Sequence, residues 1–250
     1  MYDVATTLQY FDQNIFWILV ATAFAWVGGS VQVFEALRLT HRDKMLGFPI
    51  SYFCIAFAHD GTFAMNYERW FTSVDHWYFT NIWFGYVFFA LVEIGAILYM
   101  LPFAHREYAA KLPKAVFYGI YFLFQVTAIV LFHLLESVVN DPLNIFGLVP
   151  VQLISILFII PFLIRRGNTR GQSRIMAWAL LLGPGSFGML QSVAMLPALR
   201  TPLFYGMVAC TTALSFAYIL LLEYYRKLEA RDAKAIVAPV AASTSGIAAV

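Results

Sequence analysis

Charge is scarce in this chain. Asp, Glu, Lys and Arg make up 12% of its 250 residues, about half the share usual in soluble domains. With 61% hydrophobic residues, that scarcity argues against an ordinary soluble domain and places the chain in the membrane class. The formal net charge is only +2, so the balance of charge names no partner, and no nucleic acid is expected. Cysteine is scarce too. Cys54 and Cys210 both fall in apolar runs, too few for a disulfide framework or a cysteine metal site. CxxC, HExxH, a strand-borne GxGxxG and a Walker loop are all missing. No metal and no cofactor are therefore expected. A basic leader is also missing, and the first apolar run is long, so it reads as a first transmembrane helix rather than a cleavable signal.

What the chain does have is long apolar runs. A spanning helix needs about 20 mostly apolar residues. Seven stretches qualify: roughly 15–38, 48–66, 77–102, 114–138, 145–164, 174–197 and 203–225. Short connections such as THRDKMLGFP, NDPLN and RRGNTRGQSR separate them. The expected fold is all-α, a polytopic seven-transmembrane helix bundle over residues 1–232, since only helices or closed barrels satisfy the backbone in lipid. The small-residue-rich tail, 233–250, is expected to be disordered.

The basic residues are unevenly placed. Counting along the predicted connections, 14 of the 16 Lys and Arg fall on one side and only Arg69 and Arg200 on the other. The basic side is expected to be cytoplasmic, which puts the N-terminus outside. Aromatics crowd the opposite side, among them Tyr10, Phe11, Tyr67, Trp70, Trp77, Trp83 and Phe84. They read as an interfacial belt, with some left over to line a cavity.

Against this background a few acids stand out. Asp60 lies 13 residues beyond Gly47, about 20 Å into a core about 30 Å thick. A charged Asp at that depth costs roughly 2.5–3.5 kcal/mol on insertion scales, and such residues face the bundle interior and mark functional sites. The face predicted for it holds Phe53, Ala56, Phe57, Phe63, Ala64 and Tyr67. Apolar surroundings disfavour the charged form of a carboxyl, which suits a proton donor. The alternative is hydrogen-bonding glue between helices. His59 points about 100° away from Asp60 on a helix, so the two need not face one cavity. Glu93 lies 16 residues beyond Trp77, about 24 Å from that edge, and shares a face with Phe79, Trp83, Tyr86 and Ala90. Gln32 or Glu35 is its expected partner. His133 and Glu136 share a face near the end of the fourth span, with Asp141 in the loop that follows; the pair reads either as lining the mouth of the Asp60 cavity or, for Glu136, as an interfacial residue touching water. Glu223 reads as an interface anchor beside Arg226 and Lys227. RRGNTRGQSR reads as a positive loop, or as a contact for anionic head groups or a diphosphate.

Several of these stretches resemble the integral-membrane terpene cyclases typified by the fungal pyripyropene cyclase. AFAHD, Ala56 to Asp60, is similar in form to that family's second-span motif Asn-Phe-Ala-Trp-Glu, with Asp60 at the acid position. RGNTRGQS, Glu68-Arg69 and the acid Glu93 resemble further family features. The resemblance implies a seven-span fold and proton-initiated, metal-independent cyclisation of a lipophilic linear prenyl or epoxy-prenyl substrate, with aromatic faces stabilising the carbocation. It implies Asp60 as catalytic acid. The last span, ACTTALSFAYILL, lacks the family's second acid, for which Glu136 or Asp141 stands as a replacement unless this is a branch with another activity; Glu93 is a further catalytic candidate. The substrate-binding candidates are Phe57, His59, Phe63, Tyr67, Trp83, Tyr86, His133 and Gln191. Two other functions fit the composition: a proton-coupled carrier, for which LLLGPGSFG reads as a broken helix, and a ligand-sensing receptor. A retinal protein is excluded by the lack of Lys in 203–225.

Overall fold

The computed structural model describes residues 2–244, with side chains described through Ala233. All regular structure among them is helical: α1 (Val4–Asp43), α2 (Ile50–Met65), α3 (Trp77–Tyr108), α4 (Lys114–Val139), α5 (Ile145–Arg166), α6 (Arg174–Leu182), α7 (Met189–Met195) and α8 (Pro202–Thr244). Two π-helical stretches, Arg69–Ser73 and Gly183–Gly188, and a short 3₁₀ turn, Pro197–Leu199, join them. Five helices are long and apolar enough to cross a membrane: α1, α3, α4, α5 and α8 over Pro202–Ala233. The other two expected spans take different forms. The second is the 16-residue α2. The sixth is not one α-helix but α6, the π stretch and α7 in series. The expected disordered tail falls partly on the last turns of α8, and its final residues, 245–250, lie outside the described residues.

Local chemistry fixes the ends of the elements. Asp3 caps α1 by accepting the Thr6 N–H at 2.8 Å, and Ser173 caps α6 by accepting the Met176 N–H at 3.1 Å. Each such cap satisfies a donor that the first turn leaves free. Asn140 and Asn144 bracket the turn between α4 and α5, both left-handed with φ of 51° and 53°, a region Asn tolerates better than most residues.

α2 is the centre of the bundle. It packs on α3, α4 and α5, while α1 packs on α6, the Gly183–Gly188 stretch and α7. α4 is peripheral, with only Phe117, Ala128 and Phe132 buried. At Gly183–Gly188 the chain runs very close to α1. A Cβ on Gly183 or on Gly28 would overlap the other's backbone, and one on Gly188 would overlap the Gln152 side chain.

The basic end is closed by a polar latch over an apolar plug that includes Leu39, Leu46, Phe48, Met100 and Leu163. Arg166 donates to Glu107 at 2.5 Å and to the Leu46 carbonyl at 2.9 Å. Its side chain is only 4% exposed. The Gly171 N–H donates to Asp43 at 2.7 Å, and the Thr169 N–H and hydroxyl donate to Glu229 at 2.7 and 2.6 Å. Ser173 donates to Glu35 at 2.6 Å. Arg174 pairs with Glu223 at 2.5 Å. The RRGNTRGQSR loop thus binds its own neighbours. The Thr169 and Gly171 N–H groups are taken by carboxylates of this chain, and the Arg170 N–H between them by the Asn168 side chain.

Candidate functional site

The polar residues of the apolar helices converge between α1, α2, α3 and α5. Asp60, His59 and Tyr52 come from α2, and Glu93, Tyr86 and Phe89 from α3. Trp26 and Gly29 come from α1, Gln152 from α5, Pro184 from the π stretch and Gln191 from α7. Together they line a cavity of about 80 Å³. Asp60 is 7% exposed and Glu93 3%. Neither Lys nor Arg lines it.

The sequence placed His59 and Asp60 on different faces, and the structure corrects that. His59 Nδ1 lies 2.7 Å from Asp60 Oδ1. The two Cα–Cβ directions do diverge, but both side chains bend into the gap that α3 and α5 leave beside α2. The lining face of α2 is Tyr52, Ala56, His59 and Asp60; of the predicted face of Phe53, Ala56, Phe57, Phe63, Ala64 and Tyr67, Ala56 alone lines the cavity. Side chains lean toward the N-terminus of their helix, so the face in contact is displaced from the simple i±3, i±4 set.

Neither expected partner reaches Glu93. Glu35 is bound to Arg38 at 2.6 and 2.7 Å and to Ser173. Gln32 makes no hydrogen bond to Glu93; both its side-chain atoms are buried without a partner, as is Glu93 Oε2. Gln191 donates instead to Thr22, at 3.1 Å, beside the Tyr78 hydroxyl.

Of the aromatic candidates, Tyr86 lines the cavity. Phe63 is stacked between Trp70, at 4.1 Å, and Tyr86, at 4.3 Å. The stack continues from Trp70 to Phe79 at 5.6 Å. Trp83 donates its indole N–H to the Ala64 carbonyl at 2.9 Å, and Tyr67 stacks on Phe71 at the surface. Phe57 is half-buried against the main core. Of these rings only Phe63 touches a lining ring, Tyr86. Trp26, Tyr52, Phe89 and Gln152 are lining residues that sequence reasoning missed. Gln152 was signalled as a lone amide in the apolar run VPVQLISILF. Trp26 was not, because its place depends on Gly85 of α3, where a Cβ would run into the indole ring. The ring is held edge-on by Tyr86 and Phe89, each 5.5 Å away.

Glu136 and Asp141 line a second, separate cavity of about 110 Å³ between the end of α4 and the start of α5, with Phe132, Asn144 and Gly147. Glu136 pairs with Arg69, whose side chain is 32% exposed. Asp141 accepts the Ile145 N–H at 3.0 Å, the Gly147 N–H at 3.1 Å and the Tyr2 hydroxyl. It therefore starts α5. Burial, together with the Asp141 carboxylate, pushes the Tyr2 hydroxyl above its ordinary range, so it stays a donor. His133 is exposed on the surface of α4 and lines neither cavity.

No family model, curated protein or solved structure matches this chain.

Proposed function

We propose that this chain is a seven-pass membrane terpene cyclase in which Asp60 is the proton donor. Its α2 and its broken α6–α7 element make the passes additional to the five long helices. The basic end faces the cytoplasm, by the excess of Lys and Arg there. The observation that carries the reading is the presence of two buried carboxyls, Asp60 and Glu93, in one aromatic-walled cavity lined by neither Lys nor Arg, with His59 beside Asp60.

In this scheme Asp60 transfers its proton to the terminal alkene carbon or epoxide oxygen of a lipid-soluble prenyl chain. Each ring closes as an alkene electron pair attacks the carbocation. The last cation loses a proton to a carboxylate, Asp60 or Glu93, so the protons balance and no metal is needed. Trp26, Tyr52, Tyr86 and Phe89 offer ring faces to the travelling charge. A cavity of about 80 Å³ is smaller than the roughly 300–1,000 Å³ of ligand pockets. The prenyl chain therefore needs Trp26 to swing away from Gly85.

The test is expression in a host that makes farnesylated or geranylgeranylated quinols and alcohols, with a search for cyclised products. Asp60→Asn should lose the product and Glu223→Gln should keep it. Full activity in Asp60→Asn would overturn the assignment. The proton-coupled carrier is favoured by one observation: the π break at Gly183–Gly188 places Pro184 in the same cavity wall, and broken helices at the midplane are a feature of carriers. It requires Asp60-dependent substrate flux into proteoliposomes without chemical change.

A further inference from the structure

His59 stands between the two cavities. On one side its Nδ1 is 2.7 Å from Asp60 Oδ1, in the wall of the central cavity. On the other its Nε2 faces the Asn144 side-chain amide at 3.5 Å. Asn144 belongs to the second cavity, together with Glu136, Asp141 and Gly147. The ring edge also reaches that wall, since a Cβ on Gly147 would lie 3.2 Å from His59 Cδ2. The ring is 1% exposed and is gripped edge-on by Tyr86 of α3 at 5.5 Å and Phe132 of α4 at 5.6 Å. It is thus fixed with one nitrogen toward each cavity.

The second cavity is lined by the Glu136 and Asp141 carboxylates and, at about 110 Å³, has room for several waters. At its rim the Arg69–Glu136 pair reaches solvent. The central cavity has no comparable link to the basic end, where the apolar plug and the Arg166–Glu107 latch intervene.

We infer that His59 is a proton relay through which Asp60 exchanges protons with water in the cavity beneath Arg69 and Glu136. A hydronium ion entering from solvent gives a proton to Nε2 and becomes water, as Nδ1 gives its own proton to an ionised Asp60. One N–H bond forms, another breaks, and the carboxyl regains its hydrogen. The ring is left as its other tautomer. Because Tyr86 and Phe132 hold it against rotation, it resets by the reverse transfer. Asn144, which faces Nε2, and the charged groups of the cavity, Glu136, Asp141 and Arg69, set the polarity of the far side. This makes His59 a positioning and proton-carrying residue. The inference rests on the reading of Asp60 as a protonated donor, not on cyclisation.

The experiment is time-resolved infrared spectroscopy of the purified protein after a jump in pH. A carboxylic C=O band is lost when its proton leaves and regained when the proton returns, and Asp60→Asn identifies the Asp60 band. In the wild type this band is expected to respond promptly. In His59→Gln, which keeps hydrogen-bonding atoms but cannot carry a proton, the response should slow by roughly tenfold or more. His59→Phe should slow it likewise. Thermal melting shows whether either variant is folded, and His59→Gln decides if the Phe variant is not. Wild-type kinetics in His59→Gln, or the absence of any acid band removed by Asp60→Asn, overturns the relay. A His59-dependent response in a protein that makes no cyclised product leaves the relay standing and removes the cyclase.

Discussion

At the scale of single residues, Glu93 is the clearest case of chemistry kept against stability. Its Oε2 is buried without a hydrogen-bond partner, and an unsatisfied buried polar atom costs about 1–3 kcal/mol. Met has a similar shape and no such atom. Glu93→Met is therefore expected to raise the unfolding temperature in detergent while lowering turnover. A lower unfolding temperature would mark Glu93 as structural glue. Tyr2 is the opposite case. Its hydroxyl both donates to Asp141 and accepts the Leu143 N–H at 3.0 Å, so Tyr2→Phe should cost about 1–3 kcal/mol, read by the same melt. The sequence made Asp60 and Glu93 visible, because an acid inside a long apolar run needs a reason. It offered Asp141 only as a candidate partner acid, and its part in starting α5 was not legible. Three donors converge on that carboxylate only after the chain has turned at Asn140.

At the scale of elements, the sixth expected span shows what a hydropathy pattern leaves out. Residues 174–197 are apolar enough to read as one span, and GPGSFG was visible as a break. The π conformation and its reason were not legible. They depend on Gly28, more than 150 residues earlier in the chain, which lets the Gly183 backbone come against α1. Gly183→Ala forces those backbones apart and should cost about 1–3 kcal/mol, as overpacking does. Gly95, inside α3 with nothing near its missing Cβ, is the control. Gly95→Ala should be neutral or stabilising by up to about 1 kcal/mol. Equal effects of the two substitutions would contradict the close approach. The same dependence on distant partners hid Trp26, since neither it nor Gly85 is unusual in its own helix.

At the scale of the whole molecule, the uneven charge that suggests an orientation also explains the latch. Carboxylates at the basic end are distributed to meet its arginines, so the loop read as an anionic-ligand contact is occupied by its own chain. Arg166→Met would strand Glu107 and the Leu46 carbonyl. Losing one partner of a buried pair costs about 3–5 kcal/mol, so this substitution should unfold the basic end well before Arg226→Met, whose pairing with Glu223 is longer, at 3.8 Å. The proposed topology is tested by single cysteines in a background without Cys54 and Cys210. Ser73→Cys should react with an impermeant maleimide in intact cells, and Ala110→Cys only after permeabilisation. The reverse pattern would invert the orientation. Seven apolar runs and their polar connections were legible in sequence. The packing order around α2 was not, because apolar helices in lipid carry little information about which neighbour each face meets.

The apolar plug has a consequence for energetics across a membrane. On the proposed relay Asp60 exchanges protons on the Arg69 side alone, so it equilibrates with the pH of a single compartment. In vesicles with the protein inserted in one direction, the Asp60 carboxyl should follow the pH of the medium beside Arg69 and ignore the medium beside Arg166. The occupancy of that proton would then report, and respond to, the electrochemical gradient that the host maintains.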